Sequence, residues 1–422
     1  MRLLSKFLIF LFFIFTQTIT NLYAGIASGP AVHDRNVIPL PRPPTEPKVD
    51  KVSVPINPIT GILRIDDSGS RSTGFTKGLI GISFNDFLKK GETLTIREIH
   101  TSGNGTDYLE LGAKFPVGLE GSTLAFRVGA IKYDVGQQNA VADATGNSDF
   151  IDANFIKPFY KSTDLNLSFG VSAIRASYIE NRSFTISGTA PGTPATDKIN
   201  QRADLSLYFN SYDKVFNQAG TTGKISFSKG DNNANHTKDD LGGPTGSFSK
   251  VTAQVNRLEK ITEQDNLYIR FKGQYALTPL DAAEEFSLGG LYNVRVYPNS
   301  EGGGADNADS GFVINFELER MLTKNIKAFA FYDFGKISIY ENYGDSTEAK
   351  SSLPISGFKT NKNTYNLKDS GLGLEWEAMP NTKFNMLWAH KLGNNPGRRT
   401  DNSDFDRTST KDLIRFGFTQ QF

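Results

Sequence analysis

Four histidines, His33, His100, His236 and His390, are the residues of this 422-residue chain best suited to proton transfer or metal ligation. They are widely separated and none stands at ligand spacing from another, so no metal site is expected. Cysteine is absent, which removes thiolate ligands, thiol nucleophiles and disulfides. No G-x-S-x-G elbow occurs, and a phospholipase built on a barrel would have to use His390 with a serine on a neighbouring strand. Gly302, Gly303 and Gly304 precede Asp306 and Asp309, whose charges repel a phosphate rather than cradle it. That run reads as loop flexibility. No enzymatic activity, cofactor or metal is therefore expected. The charged residue with the least ordinary setting is Arg295, flanked by Val294, Val296 and Tyr297, an apolar context that a solvated loop cation does not require.

The stretch that follows shows which elements would position such a residue. From Gly311 to Glu319, Phe312, Ile314, Phe316 and Leu318 share one face, and Val313, Asn315, Glu317 and Glu319 share the other. This is the period-2 pattern of a half-buried strand. Asn325 to Ile337 repeats it, with Phe331, Asp333 and Gly335 spelling F-x-D-x-G on the more polar face. About sixteen such segments run from Thr60 to the last residue, separated by turn signals, and the links alternate. Short ones, such as 85–91, 117–121 and 320–324, interleave with long ones, such as 179–199, 230–248, 338–366 and 392–411.

An even number of alternating strands with short turns at one end and long loops at the other is the pattern of an all-β transmembrane antiparallel barrel. Composition agrees: 38% hydrophobic residues and a mean hydropathy of −0.35 are too polar for helical spans, whereas a barrel exposes only alternate residues to lipid. The 32 phenylalanines and 15 tyrosines favour strands, and a formal charge of +1 gives no argument for nucleic acid. Lumen-facing charges should line a wet interior. On that view Asn315→Asp should cost little, because the residue faces water, while Phe316→Asp should be costly.

At the N-terminus, Arg2 and Lys6 precede the apolar run Phe7 to Phe15 and the small residues near Ala24, the layout of a cleaved secretory signal peptide over residues 1–24. Residues 25–58 hold eight prolines and no periodic apolar face, so they read as an extended periplasmic linker. The barrel is assigned to residues 59–422.

The glycine pair Gly289–Gly290, the core Val294-Arg295-Val296-Tyr297, the D-x-G at Asp309 and Gly311, and the F-x-D-x-G one strand later together resemble two-partner secretion outer-membrane transporters. These are the hemolysin and filamentous-hemagglutinin secretion/activation proteins, relatives of BamA-type assembly factors. The resemblance covers the barrel region. It implies that a long loop folds inward and that Arg295 meets Asp333 on the inner wall. Where the family more often has glycine, this chain has Val296.

It also implies two periplasmic POTRA modules, for which residues 25–58 leave no room; a separate chain could supply them. The final strand, with Phe416, Phe418 and terminal Phe422 on one face, resembles the signal read by the barrel-assembly machinery. The expected function is an outer-membrane pore that secretes or activates a large hemolysin- or hemagglutinin-like exoprotein, in contact with outer-membrane lipids. A barrel-assembly or insertase component and a passive diffusion porin are the alternatives.

Overall fold

The computed structural model describes residues 57–422 apart from 104, 119–120, 135–143, 183–195, 215–217, 235–243, 300, 303–307, 342–358 and 360–361. The expected signal peptide and nearly all of the linker lie outside these residues. The first eight strands are β1 (Ile59–Asp66), β2 (Lys77–Asn85), β3 (Thr93–Thr101), β4 (Thr106–Pro116), β5 (Thr123–Asp134), β6 (Ala144–Lys161), β7 (Leu165–Arg182) and β8 (Thr196–Asp213). They are followed by β9 (Gln218–Ala234), β10 (Gly246–Lys260), β11 (Asp265–Ala276), β12 (Ser310–Met321), β13 (Ile326–Ser338), β14 (Thr364–Met379), β15 (Thr382–Lys391) and β16 (Asp412–Gln421). Each strand pairs antiparallel with its neighbours in sequence, and β1 pairs with β16, so the sheet closes into a sixteen-stranded barrel. Closure removes the free edges that hydrocarbon cannot satisfy.

The two faces separate as the period-2 pattern requires. On β12, Phe316 and Leu318 are exposed on the outside, while Val313 and Asn315 are buried on the inside. Trp376, Phe384 and Phe418 form an outward aromatic cluster beside the tight 380–381 hairpin, with ring centroids 5.7 and 5.2 Å apart. Aromatic belts of this kind sit at a membrane interface. One long-loop connection is shorter than the alternation suggests: β3 and β4 are joined by residues 102–105 alone.

Strands β6 to β9 run 17 or 18 residues and begin or end several residues farther toward the long-loop rim than their apolar pattern indicates. Most of their extra residues are polar or glycine, and the interior supplies partners for some of them. Tyr133 donates its hydroxyl to Glu180 at 2.6 Å, and Lys198 is fully buried. In sequence such residues look like loop; in the barrel they are satisfied from inside.

The lumen is not uniformly wet. Against β12 to β15 it holds an apolar cluster in which Leu288, Val294, Val296 and Tyr297 of the connection 277–309 pack on Val313, Phe331, Ile337 and Leu367. That connection is folded back into the barrel, and its apolar side chains cover part of the inner wall.

Candidate functional site

The inward loop is shaped by its own backbone. Gly290 N donates to Tyr297 O at 3.0 Å, Asn293 N to Gly290 O at 2.9 Å and Val294 N to Leu288 O at 2.9 Å. Asn293 Nδ2 ties the same turn by donating to Gly289 O at 2.9 Å. Both glycines are required here. A Cβ on Gly289 would lie 1.9 Å from Pro298 O, and Gly290 has φ of +107°, a region that other residues rarely adopt. The result is a compact tip that presents residues 294–297 to β12 to β15.

Arg295 points at the wall. Its Nε lies 3.1 Å from Asp333 Oδ2, near enough for an ion pair although not aligned as a hydrogen bond. Nη1 donates to Glu317 Oε2 at 2.8 Å, and the guanidinium lies 4.0 Å above the Phe331 ring centroid. Two backbone N–H groups of the tip donate to wall carboxylates: Arg295 N to Asp333 Oδ2 at 3.3 Å and Val296 N to Asp369 Oδ2 at 2.7 Å. Asn315 Nδ2 completes the seat by donating to Asp333 Oδ1 and to Asn293 O, each at 2.8 Å. Register explains the convergence, because Asp333 lies opposite Asn315 on β12 and opposite Asp369 on β14.

Asp333 is 0% exposed and Arg295 6%. The pair is dry, which corrects the expectation of a wet interior at this position. The cost of losing one partner then follows the buried case, about 3–5 kcal/mol, rather than that of a surface pair. The correction extends to Asn315: an aspartate there would replace the amide donor with a second carboxylate facing Asp333, so the substitution is no longer a mild one.

The other motif residues have identifiable places. Gly335 lies under the tip, where a Cβ would be 2.7 Å from Leu288 and 3.1 Å from Val294. Asp309 closes the base of the loop by accepting from Leu280 N at 2.8 Å and Glu341 N at 2.6 Å. Burial pushes its carboxyl up to about 6 against those two donors. Gly311 leaves room for Phe286, whose ring would be 2.8 Å from a Cβ at that position. Tyr297 is buried with Lys391 Nζ 5.1 Å from its ring centroid. At the chain end Phe422 exchanges two backbone hydrogen bonds with Gly61, at 2.8 and 3.1 Å, while Phe416 is exposed on the outer face and Phe418 packs on Phe384.

The tip also crosses the barrel. Arg64 on β1 donates to the Tyr292 hydroxyl, and Arg64 and Arg270 lie 5.6 and 5.8 Å from the Tyr292 ring centroid. Asn299 Nδ2 donates to Ser68 O at 2.9 Å. Buried Glu301 accepts from Asn395 Nδ2 at 2.7 Å and Phe405 N at 2.8 Å, so the 392–411 loop closes over the tip. A cavity of about 620 Å³ remains beside the loop, lined by Arg127, Asp152, Ser226 and Tyr292 among others.

Sequence reasoning missed Asp369, Asn315, Glu317 and Gly371 as parts of the seat. Gly371 admits the Phe331 ring, which a Cβ there would approach to 2.5 Å. The available signal for Asp369 was an acid alternating with Leu367 and Gly371 on one strand face. His390 lies on the outer surface, with Nδ1 2.8 Å from Asp412 Oδ1. Among the described residues no cluster of three or more His, Asp or Glu is placed to hold a metal ion.

Comparison with known proteins agrees with this architecture. The family model described as haemolysin secretion/activation protein ShlB/FhaC/HecB matches residues 49–357. Among solved structures the chain is similar to CdiB from Escherichia coli, with a TM-score of 0.68 and 15% identity over 88% of this chain and 64% of that one. It is similar to CdiB from Acinetobacter baumannii, with a TM-score of 0.62 and 15% identity over 87% and 60% of the two chains. BamA from Haemophilus ducreyi lacking POTRA domains 1–3 has a TM-score of 0.58 at 13% identity, over 87% and 71%. At such identities these likenesses show the fold. The chain spans less than two thirds of either CdiB structure. No curated protein sequence matches it.

Proposed function

The chain belongs to the haemolysin secretion/activation family ShlB/FhaC/HecB, and from that premise we propose that it is a protein-translocating pore that secretes, and by secreting activates, a large exoprotein. Family membership and the closed sixteen-stranded barrel place it in the Gram-negative outer membrane. The observation that carries the proposal is the seating of the loop tip on β12 to β14 by Arg295 with Asp333 and Glu317, and by Val296 with Asp369. A loop tip seated on β12 to β14 by one buried cation and a few directional hydrogen bonds has two arrangements in this reading, docked and displaced. Displacement widens the lumen for an extended chain without any hydrolysis. Outer-membrane lipids, the barrel-assembly machinery and a separate chain bearing periplasmic modules complete the proposed partners.

The test is secretion. In a strain lacking this chain, a large β-rich exoprotein encoded beside its gene should stay in the periplasm. The wild-type chain should restore export, and Arg295→Ala should insert normally yet restore it poorly. Full export by Arg295→Ala would separate the seated tip from transport.

One observation favours a second reading, a barrel-assembly or insertase role. The β1–β16 ladder pairs Ile62 to Asp66 and continues through the two Gly61–Phe422 hydrogen bonds, which leaves it two residues shorter than the β1–β2 ladder from Ile59 to Asp66. A short seam is where a barrel would open sideways. Cross-linking β1 to β16 distinguishes the readings, because it blocks lateral opening and leaves axial transport intact.

A further inference from the structure

The inward loop is fastened a second time, farther along the barrel wall from Arg295, on β8 and β10. Towards the long-loop rim, β8 and β10 present Lys198, Arg202 and Lys250 to the interior, and the first turn of the loop brings Asp281 and Glu284 against them. Lys198 Nζ donates to Asp281 Oδ2 at 2.6 Å, and both side chains are fully buried. Arg202 Nη1 donates to both Glu284 oxygens, at 2.8 and 2.6 Å, and Arg202 Nε donates to Asp204 at 2.8 Å. Lys250 Nζ lies 2.7 Å from Glu284 Oε2 and donates to the Glu284 carbonyl at 2.6 Å, and Gln274 Nε2 donates to that carbonyl at 2.8 Å.

Three cations thus face three carboxylates, Asp204, Asp281 and Glu284; Lys198 and Asp281 are fully buried, and Arg202, Asp204, Lys250 and Glu284 lie largely buried on the wall of the 620 Å³ cavity. Buried ions tolerate such a site only when paired and hydrogen-bonded, and here the partners are specific in both identity and direction.

We propose that Asp281 and Glu284 form a proximal anchor that works independently of the Arg295 seat. The loop then opens as a flap, with residues 277–286 staying on β8 to β10 while the tip leaves β12 to β14. The two anchors share no residue and use different strands. The proximal limb has further ties of its own, through the Phe286–Ala308 bridge and Leu280 N on Asp309 Oδ1 at 2.8 Å. The tip from Leu288 to Tyr297 is tied within itself, Val294 N to Leu288 O and Gly290 N to Tyr297 O, so it can move as one unit from the proximal limb. Lys198, Arg202 and Lys250 are positioning residues in this scheme. The inference builds on the transport reading for its purpose, but its test does not use transport.

The absence of cysteine from the chain permits single reporters, Ala283→Cys beside the proximal anchor and Val296→Cys at the tip. Maleimide labelling of the purified barrel is expected to rise about tenfold at position 283 in Glu284→Gln or Asp281→Asn, with position 296 unchanged. In Asp333→Ala the pattern reverses: position 296 gains about a hundredfold and position 283 stays protected. A tenfold change corresponds to about 1.4 kcal/mol in the docking equilibrium. Heat-modifiable migration verifies folding. If Glu284→Gln fails to assemble, the reversed pair Lys198→Asp with Asp281→Lys is expected to assemble and to restore the protection that either single change removes. Exposure of both reporters by one substitution, or continued protection of position 283 in both anchor variants and no rescue by the reversed pair, overturns the proposal. The expected labelling in a chain that secretes nothing would keep the anchor and refute the transport reading.

Discussion

Asp333 holds Arg295 twice through one oxygen: Oδ2 lies 3.1 Å from the guanidinium Nε and accepts the Arg295 backbone N–H at 3.3 Å. Removing the arginine side chain therefore leaves part of the contact in place, while removing the carboxylate loses all of it. Arg295→Ala also leaves Asp333 opposite Asp369 with no buried cation between them.

Because the pair is dry, either single substitution should destabilise the docked tip by about 3 kcal/mol, the lower end of the buried-pair range, since Glu317 or Asn315 still holds the survivor. The double variant should be little worse than either single one, which is the signature of a shared interaction. Labelling at Val296→Cys measures this directly. A double effect equal to the plain sum of the two would remove the coupling.

On β12 two neighbouring positions test the two faces. Phe316→Asp puts a charge against hydrocarbon and should cost about 2 kcal/mol or more. Asn315→Asp, on the inside, should cost about 1–3 kcal/mol for a different reason, the loss of the amide donor to Asp333 and a new carboxylate beside it. Denaturant unfolding in detergent measures both, and Asn315→Ser should be milder than Asn315→Asp. Equal tolerance of serine and aspartate would show that the carboxylate contact is unimportant.

Closure of the 392–411 loop over the tip should depend on pH. Burial, followed by the charge of Asp404, pushes Glu301 up to about 8, against donors Phe405 N and Asn395 Nδ2 that pull it down. A raised acid keeps its proton in the closed arrangement, so this contribution is complete below the ordinary glutamate range and is lost as pH rises through about 8. Tryptic cleavage at Arg398, Arg399 or Arg407, taken relative to Glu301→Gln at the same pH, should increase between pH 7 and 9. A flat ratio would dissociate Glu301 from closure.

Gly61 and Phe422 meet at the β1–β16 seam, where a Cβ on Gly61 would lie 2.2 Å from the Phe422 ring. Gly61→Val should reduce the amount of heat-modifiable barrel, as should deletion of Phe422, and the combination should be less severe than the sum because the ring that clashes is gone. Immunoblots of outer-membrane fractions give the amounts.

The barrel itself was legible in the chain. Alternation of side chains is a local property of an extended backbone, so Phe316 and Asn315 declare opposite faces without any knowledge of the fold, and sixteen such runs with alternating link lengths leave few other architectures. Arg295 and Asp333 were legible as candidates through the motifs around them. What the chain could not declare was dryness and company. Whether Val313 and Phe331, on the inner face, meet water or the apolar tip of a loop depends on how residues 277–309 fold, and that decides whether the Arg295 pair behaves as a surface or a buried one. Asp369 joins the seat only because register sets it opposite Asp333. Lys198 and Asp281, 83 positions apart, look like loop polar residues until closure of the barrel brings them within 2.6 Å. Periodicity is carried by neighbours along the chain, whereas charge burial and pairing are carried by neighbours across it, and only the closed tertiary structure determines those.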